Sequence, residues 1–192
     1  MNSKTIRTAS GFTLVELLIA MAVGLLVFAA VVGAFNLQSK IYDVQAQVTE
    51  MIQNARAAMV VMVGEIQMAG YDPAGAGFDG ITYDPDRLQI VADLDGDGNP
   101  METGETVVYA FDPANLQITR DAGAGPEPFA ENIQSFSFEY LDATGSPTTI
   151  SANIRQVRIS LTARTSKPDP DYPGGYRTYT LRTLVMPENI EY

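Results

Sequence analysis

An α+β architecture, in which one long N-terminal helix packs on an antiparallel β-sheet, is the fold class this sequence predicts, and three observations lead to it. A 19-residue apolar run from Leu17 to Phe35 is long enough to span about 30 Å of hydrocarbon as a helix. Beyond it, apolar residues recur every three or four positions as far as Ile66, which is the spacing of a helix buried on one face. From Tyr71 the period falls to two, in short runs bounded by Gly, Pro, Asp and Asn, the pattern of strands. A helix followed by a series of strands is the α+β order, and 192 residues hold one domain of ordinary size with an appended anchor.

The elements follow in chain order. Residues 1 to 11 carry Lys4 and Arg7 and no acid, and residues 12 to 35 carry the single charge of Glu16. A basic flank before an apolar run keeps the N-terminus cytoplasmic, so an inner-membrane anchor is expected with everything after Asn36 outside. Glu16 at the edge of that run costs roughly 2.5 to 3.5 kcal/mol at the membrane centre and less near the interface, so a partner is expected for it. Three fates are open for the segment: no cleavage, cleavage ahead of the apolar run, or cleavage by signal peptidase after Val32-Gly33-Ala34, which would release a soluble protein starting at Phe35.

From residue 36 to 70 the helix is one-sided, with Ile41, Val44, Val48, Ile52, Ala55, Met59, Met62 and Ile66 on the face to be buried and Gln47, Glu50, Gln53, Arg56 and Glu65 among the polar positions. Gly70 and Pro73 are a stop signal that ends the helix near Ala69. Residues 71–192 form the sheet-bearing head. Strands are expected at Arg87 to Ala92, Thr106 to Phe111, Leu116 to Arg120, Ile133 to Leu141, Ile154 to Ala163 and Tyr176 to Met186, with a turn at Asp112-Pro113-Ala114-Asn115 joining two of them. The stretches Tyr71 to Gly80 and Lys167 to Gly175 read as surface loops.

Composition removes most chemistry. No His and no Cys exclude the Ser-His-Asp triad, a Cys nucleophile, the usual structural zinc sites and disulfide staples, leaving only carboxylates, Lys and Tyr for an enzyme. No carboxylate pair stands out for catalysis, and no enzymatic role is expected. The 23 acidic and 12 basic residues give a net charge of −11, which repels phosphate backbones and disfavours nucleic acid as a partner.

One loop carries a metal-ligand pattern. Asp93, Asp95 and Asp97 stand at alternate positions ahead of Gly98, as in the opening of an EF-hand calcium loop, and the backbone carbonyl of Asn99 offers a further oxygen. The flanks depart from an EF-hand, because strands are expected on both sides and position 12 is Gly104; Glu105, one residue later, is the preferred bidentate ligand. A solvated acidic turn is the alternative reading. Mutual repulsion of the three carboxylates predicts disorder of this loop without a cation.

The segment GFTLVELLIAM, Gly11 to Met21, resembles the prepilin cleavage and methylation signature of type IV pilins and type II secretion pseudopilins. The resemblance implies a leader peptide over residues 1–11, cleavage between Gly11 and Phe12 by prepilin peptidase, and N-methylation of Phe12. It also implies a Glu16 whose carboxylate meets the N-terminal ammonium of a neighbouring subunit. Residues 12–35 then become the transmembrane and filament-core helix, and the expected partners are other pilin or pseudopilin subunits, prepilin peptidase and the inner membrane. Glu65–Pro73 (EIQMAGYDP), Asn132–Asp142 (NIQSFSFEYLD) and Ile154–Thr165 (IRQVRISLTART) look like PilW-type minor pilins or the related J-type minor pseudopilins. Gly33 stands where major pilins often have proline, and the C-terminal Cys pair common in major pilins is absent. The reading is a minor pilin with its head first in the periplasm and then on an extracellular filament. A J-type pseudopilin of a secretion system, or a secreted calcium-binding adhesin module, is the alternative.

Overall fold

The computed structural model describes residues 11–190. The predicted leader, apart from Gly11, therefore lies outside the described residues. The chain divides into two compact units, one ending at Gln45 and the other beginning at Ala46.

The first unit is the apolar part of helix α1 (Leu14–Met68). None of its most apolar stretch is buried, and the helix is long and apolar enough to cross a membrane. Leu14, Leu18, Leu25, Leu26, Phe28 and Phe35 are all more than half exposed, a surface that water tolerates poorly and that lipid or other apolar helices would cover.

The second unit is built on the remainder of α1 and eight strands. Five of them, β1 (Ile81–Thr82), β2 (Arg87–Val91), β3 (Thr106–Asp112), β4 (Gln117–Asp121) and β5 (Glu127–Glu131), form one antiparallel sheet in chain order. The other three, β6 (Ile133–Leu141), β7 (Gln156–Arg164) and β8 (Thr178–Val185), form a second antiparallel sheet. The expectation of one sheet is thus corrected to two. The physical cause is local: Asn132, the lone residue between β5 and β6, has φ +58°, a left-handed conformation that Asn tolerates better than most residues and that redirects the chain into the second sheet.

Met51, Ala55, Ala58, Met59, Met62 and Ile66 form the buried face of α1. They share one core with Leu88, Ile90, Val107, Tyr109 and Ile118 of the larger sheet and with Ile133, Val157, Ile159 and Leu161 of the smaller one. Four of the eight predicted stripe positions are buried, and Val48 and Ile52 pack against the same core from its edge. Glu65, expected to face solvent, is instead half-buried and crosses to the larger sheet. It accepts a short hydrogen bond from the Tyr109 hydroxyl, and its Oε1 lies 3.1 Å from Arg120 Nε and 2.6 Å from Nη2. Burial first, and then the neighbouring Glu65, push the Tyr109 hydroxyl far above the usual tyrosine range.

α1 ends at Met68, one residue before the predicted stop. Gly70 has φ +78° and its N–H donates to Val91 O at 2.9 Å, while Val91 N–H donates to Gly80 O at 2.9 Å. A Cβ on Gly80 would sit 2.3 Å from the Gly70 nitrogen. The two glycines therefore let the helix exit and the start of the sheet touch backbone to backbone.

Candidate functional site

Two places carry the sequence-predicted functional residues, one in each unit. At the N-terminal segment, Gly11, Phe12 and Thr13 precede the helix in non-helical conformation, and all three are exposed, Phe12 at 86%. The Gly11–Phe12 peptide bond therefore lies in accessible chain just ahead of the first helical turn. A helix would have hidden that bond in its hydrogen-bond ladder, so its position outside the helix suits proteolysis.

Thr13 and Glu16 form a reciprocal cap. Thr13 Oγ1 accepts the Glu16 N–H at 3.2 Å, Glu16 Oε2 accepts the Thr13 N–H at 2.9 Å, and the Thr13 hydroxyl donates to the same oxygen at 2.7 Å. This is the capping box, which satisfies helix N-terminal donors that have no intrahelical acceptor and places a negative charge at the positive end of the helix dipole. Thr13-Leu14-Val15-Glu16 has the Thr-x-x-Glu spacing directly before an apolar run, a signal that the sequence analysis passed over. It gives the Glu16 carboxylate hydrogen-bond partners within its own chain.

The acidic loop is flanked by β2 and β3, strands on both sides as expected. Asp93 is fully buried, Asp95 and Asp97 are exposed, and one carboxylate oxygen from each lies within 4.8 Å of the other two. The loop is internally hydrogen-bonded. Asp93 Oδ1 and Oδ2 accept the N–H groups of Gly96 at 2.8 Å and Gly98 at 3.0 Å, Asp95 Oδ1 accepts that of Asp97 at 3.1 Å, and Asp97 Oδ1 accepts that of Asn99 at 2.7 Å. The expectation of disorder from repulsion alone left these bonds out; they offset part of it by giving each carboxylate a donor. Gly96 and Gly98 have φ +81° and +87°, which lets the turn fold its N–H groups inward.

Glu105 lies at the far end of this loop and is brought back to its beginning. It is 6% exposed, and its Oε1 accepts the N–H groups of Leu94 at 2.8 Å and Asp95 at 3.2 Å. Asn99 is exposed, with its amide nitrogen 3.3 Å from Glu102 Oε1. The structure thus groups the carboxylates of Asp93, Asp95 and Asp97, while Glu105 meets the turn through the backbone N–H groups of Leu94 and Asp95. Three tyrosines outside the strands are engaged in packing: Tyr83 meets Tyr140 edge-on, Tyr172 lies under Arg177, and Tyr176 under Arg164.

Residues 6–32 match the family model described as the prokaryotic N-terminal methylation motif. No curated protein matches the chain. Among solved structures, a type IV-like pilin from Thermus thermophilus is similar at 14% identity with a TM-score of 0.46, over 73% of this chain and 98% of that one. The N-terminal segment thus matches the prokaryotic N-terminal methylation motif across Gly11–Met21, the residues that carry the resemblance to type IV pilins and pseudopilins.

Proposed function

We propose that this chain is a minor pilin of the PilW type, which joins or primes a type IV pilus filament after prepilin peptidase cuts between Gly11 and Phe12. The carrying observation is the methylation motif at residues 6–32, with an exposed Gly11–Phe12 bond immediately ahead of a lipid-compatible helix.

The steps follow from the residues. The uncut chain waits in the inner membrane, held by the apolar half of α1, with its head in the periplasm. Cleavage removes Lys4 and Arg7 and takes the side-chain charge from −11 to −13, while it creates an ammonium at Phe12, which is then N-methylated. Stripped of its basic flank, the apolar helix leaves lipid for a bundle of like helices, exchanging one apolar environment for another at small cost. Glu16 is then free to exchange its Thr13 hydrogen bonds for a charge-assisted one to a neighbour's ammonium, an attraction stronger in the bundle than in water. The head remains on the filament surface or tip.

The J-type pseudopilin of a secretion system is a second reading that the same motif supports. Deletion separates the two: a minor pilin's loss reduces surface pili, a pseudopilin's loss blocks exoprotein release. Filaments that assemble and work normally in the deletion strain would remove the priming role.

A further inference from the structure

We infer that the outward face of the β6–β7–β8 sheet docks the acidic end of the larger sheet of a second copy, joining two heads head to tail. Charge is divided unevenly along the chain. Residues 71–131 carry 13 acidic and 2 basic side chains, whereas residues 132–186 carry 4 acidic and 6 basic ones.

The basic surface is set by strand alternation. Val157, Ile159, Leu161 and Ala163 of β7 are turned to the core and at most 2% exposed, so Arg158, Ser160 and Thr162 between them face outward. Pairing aligns Arg158 with Leu184 of β8, and Ser160 with Arg182. Arg158 is held by Glu139 of β6, but Arg182 has no acidic partner among the described residues. Leu184 is 45% exposed and Met186, just beyond the strand, 49%. The face is therefore cationic with an uncovered apolar margin.

The acidic surface is built by two loops at one end of the larger sheet. Residues 92–105 and 121–127 contain no Lys or Arg. They lie against each other: the Gly104 N–H donates to Ala122 O at 2.8 Å, and a Cβ on Gly123 would sit 3.0 Å from Thr103 Cα. Asp95, Asp97, Glu102 and Glu127 are exposed there, and so are Leu94 and Met101, the latter at 74%. Each surface thus pairs charge of one sign with exposed apolar side chains, the composition of a contact with an apolar centre and a polar rim.

A second copy supplies the matching charge. Two copies are both acidic overall, but beyond a Debye length of about 8 Å at physiological salt that repulsion is screened, and the opposed local charges decide which surfaces meet. Because face and acidic end are different surfaces, each docked pair leaves one of each free, so the contact is heterologous and can repeat along a filament. It needs only two copies of this chain and stands apart from the N-terminal processing on which the pilus reading rests.

Self-association of the full chain in detergent is measured by sedimentation at ~0.1 M and ~1 M salt, where charges reach about 10 Å and 3 Å. Reversible association that weakens at least fivefold at the higher salt is expected. Two double variants divide the contact, R158Q/R182E on the face and E102K/E127K on the acidic end. All four side chains are exposed, so each variant should keep its Tm within about 2 °C of the parent. Each alone should associate at least fivefold more weakly. An equimolar mixture should recover the association, because the intact acidic end of the first variant meets the intact face of the second. Association through the apolar part of α1 would persist in both variants and ignore salt. That result, a parent chain that does not associate, or a mixture that stays dissociated would overturn the inference.

Discussion

Replacing Glu65 with Ala removes a side chain that ties α1 to β3 by a hydrogen bond and to β4 by an ion pair. Tyr109 is completely buried, and its hydroxyl donates to Glu65; without that acceptor it loses its hydrogen bond in a site closed to water, a cost of about 1 to 3 kcal/mol. Arg120 loses two close contacts to Oε1, but at 31% exposure it recovers solvent, so the ion pair itself adds only about 0.2 to 1 kcal/mol. The sum is about 3 kcal/mol, and at roughly 2 to 4 °C per kcal/mol for a chain of this size the Tm falls by about 6 to 12 °C. Tyr109→Phe alone should cost about 1 kcal/mol, since Glu65 keeps Arg120 and some water. The double variant decides the mechanism: in the Glu65→Ala background, Tyr109→Phe should cost almost nothing, because the hydroxyl it deletes is already unpaired, giving a coupling energy of about 1 kcal/mol or more. Scanning calorimetry of the full chain in detergent reads all three. Additive losses, or a Glu65→Ala shift below about 2 °C, would refute the assignment of Glu65 as a buried tie.

Gly80→Ala places a Cβ 2.3 Å from the Gly70 nitrogen and 2.6 Å from its Cα; both are backbone atoms that cannot move aside cheaply, so a loss of about 1 to 3 kcal/mol is expected in denaturant titrations, whereas Gly64→Ala, with open space around it, should be neutral or mildly stabilising. The Thr144 hydroxyl and then the Ser146 N–H hold the Asp142 carboxyl below the usual aspartate range. Because its folded value is the lower one, its contribution to stability is complete above about pH 4 and disappears as pH falls through that depressed value. Asp142→Asn should therefore lower Tm at pH 7 and converge with the parent chain as pH drops toward 2; a difference independent of pH would contradict the assignment.

Much of the fold was legible because its periodicities are long or clean. α1 was read to within two residues at its start and one at its end, since an apolar anchor and a one-sided stripe leave no other solution. β6 was read without error, and β7 with its alternating Val157, Ile159, Leu161 and Ala163 to within two residues. β1, only two residues long, carries no period to detect, and β5 hides behind Pro128 between two Glu residues. Such a sequence is tolerable only at an edge, which is where β5 lies. The division into two sheets turned on the backbone of a single Asn132, beyond the reach of patterning. In the acidic loop the residue types were legible and the return of Glu105 was foreseen, but the stabilising N–H bonds of the turn were not, because they depend on the left-handed glycines rather than on charge. At the N-terminus the Thr13–Glu16 cap was legible as a Thr-x-x-Glu spacing directly before an apolar run.

The mass of the N-terminal peptide of the protein isolated from native membranes tests the central claim most directly. A peptide that begins at Phe12 and carries one methyl group is the predicted result. A chain that begins at Phe35, or one that retains Lys4 and Arg7 in cells with active prepilin peptidase, would contradict it.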